Sequence, residues 1–389
     1  MNVVDLCSEL VKIRSENPPG YTDDLILYLK DVCDKIGLNT RILKNGKKWN
    51  LISEQPSDKL LLCGHVDVVP ALDESWTYPP FDGVIADGRV HGRGSTDMKG
   101  GCAALLSALS TVIDEDIIPN ADIAFVCDEE GNGDFGMSYL VEKNLLHPNA
   151  CLLAEPTPNI SPVIGEKGII RLHITFCGDA GHASLYPVCG SSAIMQACKF
   201  MEHCDEIHQR VWPIEPLVSE IIENTVKTLS STLSCSEEDT RVILGNVSYN
   251  PGIISGGERI NVIAQKCQLD LDMRIPWGCD SEDLICEISE ILGENQLEVI
   301  DTVSPSFSRP GWLCNLTCEA IRSVYNEKAL PGVTQAASDA RHIRKSGAEV
   351  VMYGPGDLKL LHSVNESIPV DDLKNCRDIY TYILRNMPH

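Results

Sequence analysis

The sequence predicts a two-domain α/β protein, a mostly parallel sheet with helices on both faces, interrupted by a smaller inserted β-α-β-β-α-β unit. Three observations predict it. At 389 residues the chain exceeds the size at which one hydrophobic core usually stops growing. Short continuous apolar runs alternate with helical patterns early and late in the chain, as expected of parallel strands joined by crossover helices. The middle instead carries the period-2 alternation of half-exposed strands.

The elements follow in order. "MNVVDLCSELVKIRSENPPG" at the N-terminus reads as a short amphipathic helix. "KLLLCGHVDVV" (59–69), "ADIAFVCDEE" (121–130) and "ACLLAEP" (150–156) read as buried strands. Between the first two lies an Ala- and Leu-rich helix, 99–115, with small residues on one side for packing on the sheet; 134–146 is another helix. A last strand at 348–356 and a closing helix at 370–386 complete the larger domain. In the middle, the strand 168–178 is followed by a helix at 191–208 and strands at 240–254 and 265–276. A helix at 281–295 and a strand at 296–303 close a ferredoxin-like unit. The polar stretch 209–239 is expected to be a loop or a short helix inside it. The predicted division is therefore 1–167 and 304–389 for the larger domain, with 168–303 inserted.

Composition narrows the function. A net charge of −24 repels phosphate backbones and anionic lipid surfaces, which argues against nucleic-acid and membrane partners. No apolar run approaches the roughly 18 residues of a membrane span. The N-terminal stretch, with Asp5 and Glu9, lacks the basic and apolar regions of a secretion signal, so a cytoplasmic protein is expected. Seventeen cysteines fall without a C-x-x-C pair, which removes a zinc ribbon and a thioredoxin-type motif. Many lie inside apolar runs, where a reduced thiol behaves as a small buried hydrophobe.

The candidate chemistry lies where the strands end. "GHVDVVP" supplies His65 and Asp67, and "GRGSTDMKGG" supplies Asp97 at a helix start. "CDEEGNGDFG" supplies the adjacent Glu129 and Glu130, "AEP" supplies Glu155, and "GPGDLKLLHSVNES" supplies His362. Carboxyl ends of parallel strands share one edge, so two imidazoles and several carboxylates are expected around one cleft, a donor set suited to divalent transition metals such as zinc. Each piece alone has a blander reading. H-x-D is common by chance, a lone histidine at a strand end is usually structural, and Asp97 alone reads as a helix N-cap. The combination, in this order, carries the reading.

In these segments the chain resembles the co-catalytic zinc amidohydrolases and peptidases that include acetylornithine deacetylase, succinyl-diaminopimelate desuccinylase, aminoacylase and glutamate carboxypeptidase. The resemblance runs from "NPPG" (17–20) to "HSVNE" (362–366). It implies two divalent metal ions, zinc first, with cobalt or manganese as alternatives. His65 and Glu155 would hold one ion, Glu130 and His362 the other, with Asp97 bridging and the Asp97–Met98 peptide cis. Asp67 would hold the His65 imidazole, and Glu129 would be the general base. "GDAGHASLYPVCG" (178–190) resembles a segment whose histidine, here His182, reaches the neighbouring subunit's site. That implies a homodimer built through the inserted lid and dimerisation domain. Asn261 and Arg274 match positions that hold the substrate carboxylate or the oxyanion. Ser338 and Arg341, in "SDAR", match a segment lining the substrate cleft. Lys167 lies at the domain junction, as a hinge residue or a substrate contact.

The implied activity is hydrolysis of the amide of an N-acyl amino acid, with a small-molecule substrate and no nucleic acid or membrane. A carboxypeptidase or dipeptidase is the alternative within the family. A catalytically silent ligand-binding relative is the alternative outside it, opposed by the intact ligands, base and His182. Departures bear on the substrate. "QAASDAR" replaces the desuccinylases' Gly-Gly-Thr with Gln335-Ala336-Ala337, and Glu166-Lys167 replaces their paired arginines. Ala264 stands where proline is usual. None of these touches the expected ligands or base.

Overall fold

The computed structural model describes residues 1–72, 75–131 and 133–388, and at residues 231 and 233 the backbone alone. Among the described residues the largest sheet has nine strands. Its centre is parallel: Ala121–Val126, Leu60–His65, Ala150–Leu153 and Glu349–Met352 lie side by side in that order. The hairpin Thr40–Asn45/Lys48–Ser53 adds antiparallel strands at one edge. Val163–Glu166 and Ser306–Phe307 do so at the other, where Gly332–Thr334 also joins in parallel. The parallel strands read as continuous apolar runs because both faces are covered. Leu60 and Leu62 enter one core, whereas Leu61 and Cys63 enter the other.

The first core takes the helices Val3–Lys12, Asp23–Lys35, Gly100–Asp114, Trp312–Tyr325 and Val370–Asn386. The second takes Met137–Glu142 and Ala340–Arg344. The small residues of Gly100–Asp114 face the sheet closely, and a Cβ on Gly101 would lie 2.3 Å from the Ala154 carbonyl oxygen. Larger residues there would push the helix off the strand that leads to Glu155.

The inserted unit has the expected order. Ser248–Gly256, Lys266–Ile275, Gly168–Cys177 and Gln296–Val303 form an antiparallel sheet in that spatial sequence. Helices Ala193–His208 and Ser281–Leu292 cover one face and share a separate core with it.

The stretch 209–239 corrects the sequence reading. It contains an 18-residue helix, Pro216–Leu233, followed by a second helix, Glu237–Gly245, which also takes the start of the strand expected at 240–254. Val218, Ile221, Ile222, Val226 and Leu229 form an i, i+3/i+4 stripe. That stripe is buried in the core of the larger domain, not in the inserted sheet. Thr225 ties the helix down, its hydroxyl accepting from the Val333 N–H at 2.8 Å. Asp23–Lys35, the 40–53 hairpin and Trp312–Tyr325 had no sequence assignment. Neither had the small sheet Val84–Ala86/Arg89–His91/Ser367–Pro369.

Candidate active site

His65 is the last residue of its strand, and Glu129, Glu130 and Glu155 follow the ends of the two flanking parallel strands. Asp97 comes from the tight turn Ser95–Lys99 that opens the helix behind them, and its peptide to Met98 is cis. His362 arrives from the loop before Ser367–Pro369, with φ of 57°. Asp97 lies between the imidazoles: Oδ1 is 3.0 Å from His65 Nε2 and Oδ2 is 3.3 Å from His362 Nε2. Glu155 Oε1 is 3.6 Å from His65 Nε2, and Glu130 Oε1 is 3.3 Å from His362 Nε2. His65–Asp97–Glu155, His65–Glu129–Glu130 and Asp97–Glu130–His362 each bring three potential ligand atoms within 4.8 Å of one another.

The residues behind them show why these positions hold. The Asp67 carboxylate accepts from the Glu129 and Glu130 backbone N–H groups, at 3.2 and 3.1 Å, and from Asn17 Nδ2 at 2.8 Å. It therefore shapes the turn that presents both glutamates. His65 Nδ1 instead approaches the Asp67 backbone carbonyl, at 3.0 Å, with the carboxylate 3.7 Å away. The expected grip on the imidazole is thus exerted by the Asp67 main chain; with Nδ1 donating there, Nε2 faces Asp97 and is the nitrogen a metal would take once its proton is displaced. Asp128, at φ 68°, is held by Lys48 Nζ at 2.6 Å and Asn17 Nδ2 at 3.1 Å. Asn132, the last residue of the "DEEGN" segment, lies outside the described residues. Fully buried Glu366 accepts from the Thr96 and Asp97 N–H groups, at 2.9 and 3.2 Å, and pairs with Arg93 at 2.6 Å. Glu366 fixes the Asp97 turn, and the signal for it was present in "HSVNE".

Crowding of like charge sets the electrostatics. Burial, only partly relieved by His65 and aggravated by Glu155 and Asp339, holds Glu129 well above the ordinary carboxylate range. Burial and Asp97 do the same to Glu155. Burial disfavours a charged His65, yet Glu155, Asp97 and Glu129 prevail and hold it well above its usual value. Pairing with the Asp97 and Glu130 carboxylates lifts His362 to about 10. Asp97 is buried too, but His362 and His65 keep it below the usual range. Protons thus neutralise part of a cluster of four carboxylates. Divalent cations fit the same need: the donors are imidazole and carboxylate, and Glu130 Oε1 is buried without a well-formed hydrogen bond.

A cavity of about 340 Å³ opens against Asp97, Glu129, Glu130, Glu155 and His362. Ser338 lines it, with its hydroxyl donating to Glu166 at 2.9 Å. Its neighbour Asp339, which sequence reasoning missed, is buried, leaves Oδ2 without a partner, and has its pKa pushed by burial up to about 7. Arg341 is half-buried, beside His342 and away from the cavity lining.

Other expected substrate contacts lie apart from the cluster. Of the two readings of Lys167, its contacts fit the junction residue: it is 1% exposed, and its Nζ donates to the Ile243 and Asn246 carbonyls and to Ser248 Oγ at 2.8, 2.6 and 3.1 Å. It ties the end of Glu237–Gly245 to the domain junction, and its three donors have no capacity left for substrate. Arg274 pairs with Asp272 at 2.8 Å on the inserted sheet. His182 and Asn261 are exposed on its loops; His182 bridges Val262 through the backbone, and its Nδ1 lies 2.8 Å from Ser184 Oγ. None of Lys167, Arg274, His182 and Asn261 lines the cavity.

A sheet edge that gathers two imidazoles and four carboxylates into overlapping triads of potential ligand atoms suits divalent metal ions, as in metal-dependent hydrolases. The chain belongs to Peptidase family M20/M25/M40, whose model matches residues 61–386, and it is a hydrolase of amide bonds. It is 28% identical to a succinyl-diaminopimelate desuccinylase of Psychromonas ingrahamii, over 99% of this chain and 98% of that one. A probable succinyl-diaminopimelate desuccinylase of Staphylococcus epidermidis is 27% identical, over 98% and 96%. Among solved structures, the M20 metallo-carboxypeptidase Sso-CP2 of Sulfolobus solfataricus shares the fold with a TM-score of 0.81 at 18% identity, covering 99% of each chain. The dipeptidase Dug1p of Saccharomyces cerevisiae does so with a TM-score of 0.76 at 15% identity, over 100% and 96%. No helix among the described residues is long and apolar enough to cross a membrane.

Proposed function

We propose that the protein hydrolyses the amide of an N-acyl amino acid with two divalent ions, zinc in the first instance. His65 and Glu155 would hold one, Glu130 and His362 the other, with one Asp97 oxygen toward each. The observation that carries this is the placement of the two Asp97 oxygens, 3.0 Å from His65 and 3.3 Å from His362. Bound ions supply Lewis acidity, lowering the pKa of the attacking water and polarising the scissile carbonyl. The remaining work belongs to the chain. Glu129, presented by the turn that Asp67 organises, takes the water proton at its carboxylate and returns it to the leaving amine. Asp67 holds the backbones of both Glu129 and Glu130.

The inserted domain would complete the site across a homodimer. Support comes from its edge strand Ser248–Gly256, where Ile253 and Ile254 are 64% and 49% exposed, apolar surface that a second copy would cover. His182 of that copy would then stabilise the oxyanion, and Arg274 and Asn261 would meet the substrate carboxylate after closure. A cytoplasmic location suits a chain with seventeen cysteines, many of them buried in apolar surroundings.

The test is amine release by zinc- or cobalt-loaded protein from N-acetyl, N-succinyl and N-formyl amino acids and from dipeptides. Turnover of an acyl class supports the proposal. Turnover of dipeptides alone replaces it with the peptidase reading. No turnover by fully metallated protein overturns it.

A further inference from the structure

Asn17, in the "NPPG" segment, lies behind the turn that presents Glu129 and Glu130. It is 6% exposed. Residues 15–17 run alongside the continuation of the His65 strand. The Asn17 N–H donates to the Val68 carbonyl at 2.8 Å, the Val68 N–H to the Ser15 carbonyl at 3.0 Å, and the Ser15 hydroxyl to the Val66 carbonyl at 2.6 Å. Asn17 is thus anchored to the stretch of chain that carries Asp67. Its side-chain nitrogen reaches two fully buried carboxylates, Asp67 Oδ2 at 2.8 Å and Asp128 Oδ1 at 3.1 Å. Asp128 immediately precedes Glu129, and Asp67 accepts from the Glu129 and Glu130 N–H groups. The amide also abuts the far end of the turn, where a Cβ on Gly131 would lie 2.6 Å from Asn17 Nδ2.

The choice of side chain follows from what the two neighbours need. A carboxylate only accepts, and a carboxamide offers two N–H donors from one nitrogen without adding charge. A carboxylate at position 17 would donate to neither and repel both, and a methyl group would leave both unpaired on that side. Lys48, whose Nζ is 2.6 Å from Asp128, brings compensating charge from the rim. Asn17 brings the geometry.

We propose that Asn17 is the positioning residue of the general base: by tying the Asp67 and Asp128 carboxylates to one amide, it fixes the turn from which Glu129 reaches the attacking water. This rests on the reading of Glu129 as the base. Asn17 does not line the cavity, so its loss should appear in kcat rather than in KM.

The experiment compares Asn17→Ala and Asn17→Asp with wild type on the zinc-loaded full chain, using the N-acyl amino acid or dipeptide that wild type turns over fastest. Donors and shape predict opposite orders. If the amide donors matter, the near-isosteric Asn17→Asp is the worse variant; if Asn17 only fills space, Asn17→Ala is. The expected result is a kcat lower by about tenfold for Asn17→Ala and about 100-fold for Asn17→Asp, the span typical of partners behind a metal centre, with KM and metal content as in wild type. Backbone hydrogen exchange over residues 127–131 should quicken in the same order, with the Leu60–His65 strand unchanged. Where Asn17→Asp does not fold, Asn17→Leu replaces it, uncharged and close in shape. A kcat near that of Asn17→Ala is then expected, and one near wild type overturns the inference. So does Asn17→Asp at or above Asn17→Ala in kcat, metal lost in step with kcat, or unaltered exchange at 127–131. If wild type hydrolyses none of these compounds, the hydrolase reading fails separately, and the order of exchange alone decides whether Asn17 holds the turn.

Discussion

The sheet edge and the inserted sheet make contrasting use of the same kinds of residue. At the edge, His65, Glu129, Glu130 and Glu155 converge because parallel strands of one buried sheet end together, and the Ser95–Lys99 turn and the loop before Ser367–Pro369 bring Asp97 and His362 to the same place. On the inserted sheet, His182, Asn261 and Arg274 are distributed over exposed loops and a strand with its own core. A metal centre has to be assembled before substrate arrives, and the large core supplies that rigidity. Groups that grip substrate can be carried on a second body and brought up by closure or by a partner. The difference separates residues whose loss should destroy the centre from residues whose loss should leave it intact but slow.

The strongest way to break that division is Asp97→Ala. Removing the carboxylate between the two imidazoles should abolish measurable turnover and strip metal from both positions, as read by elemental analysis of dialysed protein. Full metal retention would contradict the shared role.

Next is Glu366→Ala, which leaves buried Arg93 uncompensated and the Asp97 turn unheld. It should cost about 3–5 kcal/mol in denaturant unfolding. A loss below about 1 kcal/mol would show that the Asp97 turn does not depend on this pair.

His182→Ala tests the other side. Turnover should fall about 10²–10³-fold with metal content and unfolding midpoint unchanged. Mixing this variant with Glu129→Gln subunits should restore part of the activity if His182 serves a neighbouring site; no recovery in a verified mixed dimer would confine its role to its own chain.

The smallest effect concerns pH. Without metal both imidazoles are held above their usual values, His362 at about 10, so each carries a proton at neutral pH. Metal must displace these protons, and affinity should therefore rise with pH through the neutral range, by up to about tenfold per unit for each proton released. Calorimetry in buffers of different ionisation heat reads that release directly, and an affinity flat with pH would exclude it.

Much of the edge was legible because its residues announce themselves locally. His65 and Glu155 close apolar runs, and Glu129 and Glu130 stand together after a third. What escaped is nonlocal. Glu366 acts on Thr96 across 270 residues, and Asn17 acts on Asp67 across 50, and neither sequence segment names its partner. The helix Pro216–Leu233 carries a readable apolar stripe, but its flanks are polar and its destination is the other domain. For Lys167 the sequence left a hinge residue or a substrate contact open, and three acceptors at the junction occupy its ammonium. Of the cysteines in apolar runs, Cys63, Cys102 and Cys151 are fully buried at or beside the site strands, as their apolar contexts implied.

The central claim is that Glu129 moves the proton while Glu130 holds metal. Amine release and metal content measured on the same samples of wild type and Glu129→Gln test it most directly. The account predicts that turnover falls about 10²–10⁴-fold while the metal content per chain matches wild type. Loss of metal along with activity would make Glu129 a ligand and contradict the assignment.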